Sequence, residues 1–293
     1  MTEGIRNPGE GKGAGDRLET LEVRKEISPR DEMHLPGRET HYFRVGTAAL
    51  RSVTLALEAA QREAPGRILD LPCGHGRVLR FLKAAFPHAS LTACDVSADA
   101  VEFCATTFGA TPVVAPPDAR DLEIEGEFDL IWCGSLLTHL DVDQWRALLG
   151  AFDSCLSSLG VLVFTANGPY AADLLRIAAR MKKLSVTPSP GVPDGAQLGG
   201  AKIGEIAESY FLVHRDDMQG MLEAYDASGF GYANYPKEDG YGQSLSSPAW
   251  VCREIERLGS MRLVLYTERG WDAVQDVVAC ATRGTVGPRL GPV

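Results

Sequence analysis

Between Arg67 and Thr165 the chain switches repeatedly between short apolar runs and longer amphipathic ones. The apolar runs are Arg67–Cys73 (RILDLPC), Ser90–Val96 (SLTACDV), the short Thr111–Ala115, Phe128–Cys133 (FDLIWC) and Val161–Thr165 (VLVFT). The stretches RVLRFLKAAF, SADAVEFCATTF and DQWRALLGAFDSCL place apolar residues at helical spacing. Strands that are apolar throughout, alternating with helices, imply a parallel sheet covered on both faces. Upstream, residues 40–64 form one more helical pattern, closed by Pro65-Gly66.

The rhythm changes after Asn167. Ala171–Lys183 reads as a helix, residues 185–204 as a Pro- and Gly-rich loop, and Asp216–Ala227 as a helix stopped by Gly229. Residues 230–248 are rich in Tyr and Gly and read as a further irregular stretch. A helix near 249–258 and strands at Arg262–Thr267 and Asp276–Ala281 close the chain. The expected organisation is a flexible N-terminal tail at 1–39, a core at 40–170, an acceptor-recognition insertion at 171–258 and C-terminal strands at 259–293 that complete the core sheet.

The central stretch is RILDLPCGHGR. A strand delivers Asp70, Gly74 and Gly76 form a turn, and a helix begins. Glycines here let backbone approach a ligand closely, and in an open parallel sheet ligands bind beyond the carboxyl ends of the strands. Asp95 closes the second strand at the interval where a Rossmann-like fold places an acid to accept hydrogen bonds from ribose hydroxyls. Asp118-Ala119 follows the third strand, where an acid can accept from an adenine amino group. Cys133-Gly134-Ser135 ends the fourth strand and lines the other side of the same ligand.

In this order DLPCGHGR, the Cys94-Asp95 pair, Asp118-Ala119 and FDLIWCGSLLTHL resemble the successive motifs of class I S-adenosylmethionine-dependent methyltransferases. The resemblance covers about residues 40–170, and the last two strands fit that family's antiparallel seventh-strand ending. It implies an α/β, Rossmann-like, seven-stranded sheet with helices on both faces and an insertion after the fifth strand. It implies S-adenosyl-L-methionine as cofactor. Asp70, Gly74 and Gly76 would lie against its methionine part, Asp95 on the ribose and Asp118 near the adenine. Pro72, Cys73, Arg77, Val96, Ala119, Cys133 and Ser135 complete the expected cofactor contacts. Pro72 departs from the family's usual small or acidic residue and removes one backbone donor. Tyr42, beside Phe43, is expected either to cover the sulfonium side or to act as a hydrophobic staple for its helix.

A dinucleotide oxidoreductase is the rival reading of the glycine turn. The third position of its fingerprint is Leu79 here, where close packing against a pyrophosphate calls for Gly or Ala. A non-catalytic cofactor-binding domain of the same fold is the second alternative. His139, in SLLTHLD after the fourth strand, is the candidate general base for a hydroxyl or amine acceptor. Its bland alternative is packing beside the next helix, with Asp141 or Asp143 as cap. Tyr232, Tyr235 and Tyr241 are candidates for lining an acceptor pocket. The six histidines are dispersed without metal-ligand spacing, so no metal is expected.

Net charge is −10 and the pI about 5.1, which argues against broad phosphate-backbone binding. The expected acceptor is therefore a small molecule or a sugar-containing metabolite methylated on oxygen, with no nucleic acid and no membrane as partner. Asn167-Gly168-Pro169-Tyr170 follows the fifth strand, whereas the Asn-Pro-Pro-Tyr signature of base or amide methylation follows the fourth. Seven cysteines without a CxxC pair and a polar, Gly-rich start point to a cytoplasmic protein.

Overall fold

The computed structural model describes residues 21–183, 197–198, 201–202 and 215–284. Helix α1 (Glu39–Ala60) leads into β1 (Arg67–Asp70), α2 (Leu79–Ala85), β2 (Ser90–Asp95), α3 (Ala98–Phe108) and β3 (Thr111–Val114). Then come β4 (Phe128–Cys133), α4 (Val142–Cys155) and β5 (Leu156–Ala166). Helix α5 (Pro169–Lys183) follows, then a short antiparallel pair β6 (Gln197–Leu198) and β7 (Ala201–Lys202). The chain continues through α6 (Arg215–Ser228), β8 (Phe230–Asn234), β9 (Gly242–Ser246) and α7 (Pro248–Leu258), and ends with β10 (Met261–Trp271) and β11 (Gln275–Thr282).

Seven strands form one sheet in the order β10-β11-β5-β4-β1-β2-β3. β1 to β5 pair in parallel, and β11 runs antiparallel to both β5 and β10. The parallel strands are those expected from the strand–helix alternation, and the seven-stranded α/β sheet with an antiparallel ending is the one the resemblance implies. Side chains alternate across it as the pleat requires. Leu130, Trp132, Val161, Val163, Val277 and Ala279 face a core with α1, α2 and α3. Ile131, Cys133, Leu162, Phe164, Val278 and Cys280 face a second core with α4 and α7. Two-sided burial explains why these strands read as continuous apolar runs. A third cluster joins α5, α6 and the β8–β9 hairpin through Leu175, Met218, Met221 and Leu245.

Helix ends carry their local signals. Ser97 caps α3 by accepting from the Ala100 amide, and Gly109 (φ 68°) ends it. Asp141 is the residue that caps α4, accepting from the Asp143 and Gln144 amides. Ser247 and Pro248 open α7, and Gly259 (φ 74°) closes it.

Two expectations change. Residues 21–38 were read as part of a tail, yet Ser28 and Asp31 are buried and the segment packs on α1 and α2; residues 1–20 lie outside the described residues. Residues 230–248, read as irregular, contain the β8–β9 hairpin. The signal for it was glycine in a strand, which marks close backbone approach. A Cβ on Gly231 would stand 2.0 Å from the Met221 carbonyl oxygen of α6, and one on Gly242 2.0 Å from that of Ala233. Most of the loop expected at 185–204 lies outside the described residues. Among the described residues no helix is long and apolar enough to cross a membrane.

Candidate cofactor and acceptor site

The strand order reverses between β1 and β4, so their carboxyl ends open the crevice where this sheet type binds ligands. The glycine turn starts there. It is stitched on both sides: Leu71 N–H donates to the Trp132 carbonyl of β4 and Cys73 N–H to the Cys94 carbonyl of β2, each at 3.0 Å. Gly74 (φ 47°) and Gly76 (φ 77°) are both left-handed. They do different work. A Cβ on Gly76 would collide with the Phe108 ring at 2.4 Å, whereas one on Gly74 would meet nothing within 4 Å. Gly76 seats the turn on α3; Gly74 borders open space.

Asp95 faces that space from the end of β2. Its Oδ2 accepts from Gly74 N–H (2.8 Å) and its Oδ1 from Ser97 N–H (2.9 Å). Each oxygen keeps a second lone pair for a ligand donor. Val96, next in sequence, is 61% exposed. Asp70 is 1% exposed, and both carboxylate oxygens lack a hydrogen-bond partner. Burial first, and the neighbouring Asp95 second, push its carboxyl well above the usual carboxylate range, against the pull of Arg77. The Leu79 amide is the one backbone group that also pulls it down, so this buried acid beside a second acid stays poorly satisfied.

Opposite, Ser135 takes φ 61°, rare for a residue with a side chain. A closed network holds it: Ser135 N–H donates to Thr165 Oγ1 (2.7 Å), Thr165 to Gln275 Oε1 (2.6 Å), and Gln275 Nε2 back to Ser135 Oγ (2.9 Å). Three strands, β4, β5 and β11, thus fix one residue at the crevice. Thr165 and Gln275 were not singled out from sequence, because only the sheet order brings them together.

Of the expected cofactor contacts, Pro72, Gly74, Arg77, Val96, Asp118, Ala119 and Ser135 reach the surface, while Asp70, Cys73, Gly76, Asp95 and Cys133 are buried beneath it. Asp118 caps a short turn and pairs with Arg120 (2.6 Å), which holds its carboxyl below the usual range. Burial pushes the Cys94 thiol up to about 12 and the Cys133 thiol higher, so neither acts as a thiolate. Tyr42 is a correction. It is 1% exposed, and its hydroxyl donates to Asp31 (2.6 Å) and accepts from Arg80 (3.2 Å). That hydrogen-bonded burial leaves it no free face for a ligand.

On the far side of Ser135, the β8–β9 hairpin brings Tyr235, Tyr241 and Gln243 onto the β4 loop. His139 Nδ1 lies 3.0 Å from the Gly242 carbonyl and 2.9 Å from the Tyr235 hydroxyl, which in turn donates to Gln243 (3.1 Å). The His139 ring stacks on Tyr241 with centroids 5.1 Å apart. Burial lowers its pKa from 6.5, against the Gly242 hydrogen bond that raises it, so the imidazole is neutral at neutral pH.

Residues 68–160, from β1 through β5, match a methyltransferase domain family. Within residues 68–160, then, the chain carries a methyltransferase domain. The family's cofactor is S-adenosyl-L-methionine. The chain is 34% identical over 125 residues to the ribosomal RNA small subunit methyltransferase C of Klebsiella pneumoniae, and equally to that of Salmonella choleraesuis. The match takes in 40% of this chain and 36% of each relative, so the chain spans about a third of the length of the curated relatives it matches. Among solved structures it is similar to an S-adenosylmethionine-dependent methyltransferase from Clostridium acetobutylicum (TM-score 0.48, 14% identity, 81% of this chain and 92% of that one). It is also similar to the N-methyltransferase NodS of Bradyrhizobium japonicum in complex with S-adenosyl-L-homocysteine (TM-score 0.47, 14% identity, 92% and 97%).

The relatives correct one expectation about this methyltransferase domain. The exclusion of nucleic acid as partner, drawn from the net charge of −10, is overturned by relatives named for ribosomal RNA. Net charge is a sum over the whole surface, whereas a nucleic acid meets only the field of the patch it touches.

Proposed function

We propose that this protein transfers the methyl group of S-adenosyl-L-methionine to a sugar hydroxyl, free or within a nucleotide chain. The observation that carries the cofactor half is the cradle of Gly74 and Asp95 at the strand ends, with the buried Asp70 carboxyl beside Asp95. When bound, the cofactor supplies an electrophilic methyl on a sulfonium. Gly74, Asp95, Val96 and Ser135 would hold it, with Asp118 and Ala119 toward the adenine.

The protein's part is alignment and exclusion of water, and well-oriented reactants gain on the order of 7–11 kcal/mol. His139 supports the hydroxyl reading. Nδ1–H donates to the Gly242 carbonyl, which leaves the Nε2 lone pair to take a proton from an attacking hydroxyl. Tyr235 and Tyr241 hold the ring.

The test follows labelled methyl from S-adenosyl-L-methionine into two acceptor pools, sugar metabolites and ribosomal RNA. Transfer to either pool, with label retained on a sugar oxygen, is the expected result. Label on a base nitrogen alone, or cofactor binding without any turnover, overturns the hydroxyl reading. His139→Ala is expected to lower turnover about 10²-fold or more with cofactor affinity intact; unchanged turnover removes His139 from the chemistry.

A further inference from the structure

Arg80 sits on α2, one turn after the glycine turn, and is 1% exposed. Its guanidinium joins two parts of the chain. On one side Nε donates to the Gly76 carbonyl (2.8 Å) and Nη2 to the His75 carbonyl (3.2 Å). On the other, Nη1 donates to the carbonyls of Arg24 (3.1 Å) and Glu26 (2.7 Å). Nη2 also reaches the Tyr42 hydroxyl, which Asp31 holds from the same N-terminal segment. The rings of Tyr42 and Phe108 lie 5.2 Å from its Cζ.

A second tie grips the turn by its side chain. His75 Nε2 lies 2.9 Å from Asp99 Oδ2, and Asp99 Oδ1 pairs with Arg30 at 2.6 Å. The backbone and the side chain of His75 are therefore both connected to residues 24–31. Magnitudes rank the two ties. The Arg30 side chain is 74% exposed, and an ion pair of that kind contributes little. The buried guanidinium, with every hydrogen bond directed at a fixed carbonyl or hydroxyl, dominates. Because a peptide is planar, fixing the His75 and Gly76 carbonyls also fixes the Gly76 and Arg77 N–H directions.

We propose that Arg80 is a positioning residue for cofactor binding, and that residues 24–31 act through it as part of the cofactor site without touching the ligand. The proposal rests on the cofactor reading above. By linkage, a segment that orders the turn is itself ordered when the turn is occupied.

The experiment is calorimetric titration of the full chain with S-adenosyl-L-homocysteine, well below each variant's melting temperature. Arg80→Lys keeps the charge and loses the planar fork; it is expected to weaken binding about tenfold or more. Asp31→Asn, which alters the segment without touching the turn, and Asp99→Asn are expected to weaken it a few-fold. Amide exchange across residues 24–31 is expected to slow on addition of S-adenosyl-L-homocysteine to the wild type. Affinities within twofold of wild type in all folded variants, or unchanged exchange across residues 24–31, overturn the proposal. Should Arg80→Lys fail to fold, the two aspartate variants and the exchange measurement decide. A wild type that takes up no S-adenosyl-L-homocysteine overturns the cofactor reading itself, and this inference with it.

Discussion

The buried carboxyl of Asp70 makes stability depend on pH. Its folded pKa is raised, so the folded state binds a proton more tightly than the unfolded chain does. Its contribution is fully present below the unfolded pKa and is lost as pH rises toward the folded value. Asp70→Asn removes this dependence. Relative to wild type, the variant is expected to gain about 1.4 kcal/mol per pH unit between those two pKa values, read by urea denaturation across pH. It is expected at the same time to bind S-adenosyl-L-methionine more weakly, because the cationic ligand loses its buried acid. No pH-dependent gain would mean that the carboxyl is solvated in solution. The two glycines separate in the same way. Gly76→Ala is expected to destabilise the fold by about 1–3 kcal/mol through overpacking against Phe108. Gly74→Ala meets no neighbour, so its main effect is expected on cofactor affinity, beyond a backbone cost of about 1–2 kcal/mol for the left-handed conformation. Thermal melts and calorimetry on both variants check the contrast. Asp70, Gly74, Gly76 and Asp95 were legible in sequence because strand, turn and acid follow one another along the chain at fixed intervals.

At the scale of elements, the β8–β9 hairpin gives the β4 loop its long-range partners. His139 was identifiable by its place after β4, but its partners Tyr235, Tyr241 and Gly242 lie about a hundred positions away in the chain. Tyr235 and Tyr241 stood out by composition alone, and nothing local said which ring they met. Gly231→Ala places a Cβ against backbone of α6 and is expected to cost about 1–3 kcal/mol and loosen the hairpin. The His139 pKa, below 6.5 in the wild type through burial, is then expected to rise toward that ordinary value. Titration of the imidazole by NMR in both proteins measures it. An equal pKa in the two would show that the hairpin does not bury His139. The N-terminal segment is a parallel case: its Gly and charge content reads as a tail, yet one buried arginine gives its carbonyls a destination.

For the whole molecule, a ligand that binds only the folded state adds stability by mass action. At a hundred times its dissociation constant, S-adenosyl-L-homocysteine is expected to add about 2.7 kcal/mol. For a domain near this size that raises Tm by roughly 5–10 °C. NAD(P) under the same conditions is expected to leave Tm unchanged; the reverse pattern in a thermal-shift assay would restore the oxidoreductase alternative. The acidic surface of −10 net charge was a poor guide to partners, because recognition depends on where charge lies and composition carries no positions.

The order of apolar runs and helices was enough to determine the layered α/β sheet, since hydrophobic periodicity is a local property that burial on two faces imposes directly. It also determined the glycine turn and the acids at the ends of β1 and β2. Tertiary structure alone decided that Tyr42 faces Asp31 and Arg80, that Ser135 is held by Thr165 and Gln275, and that a hairpin closes over His139. Those contacts join residues far apart in the chain, and only the folded packing selects which distant groups meet.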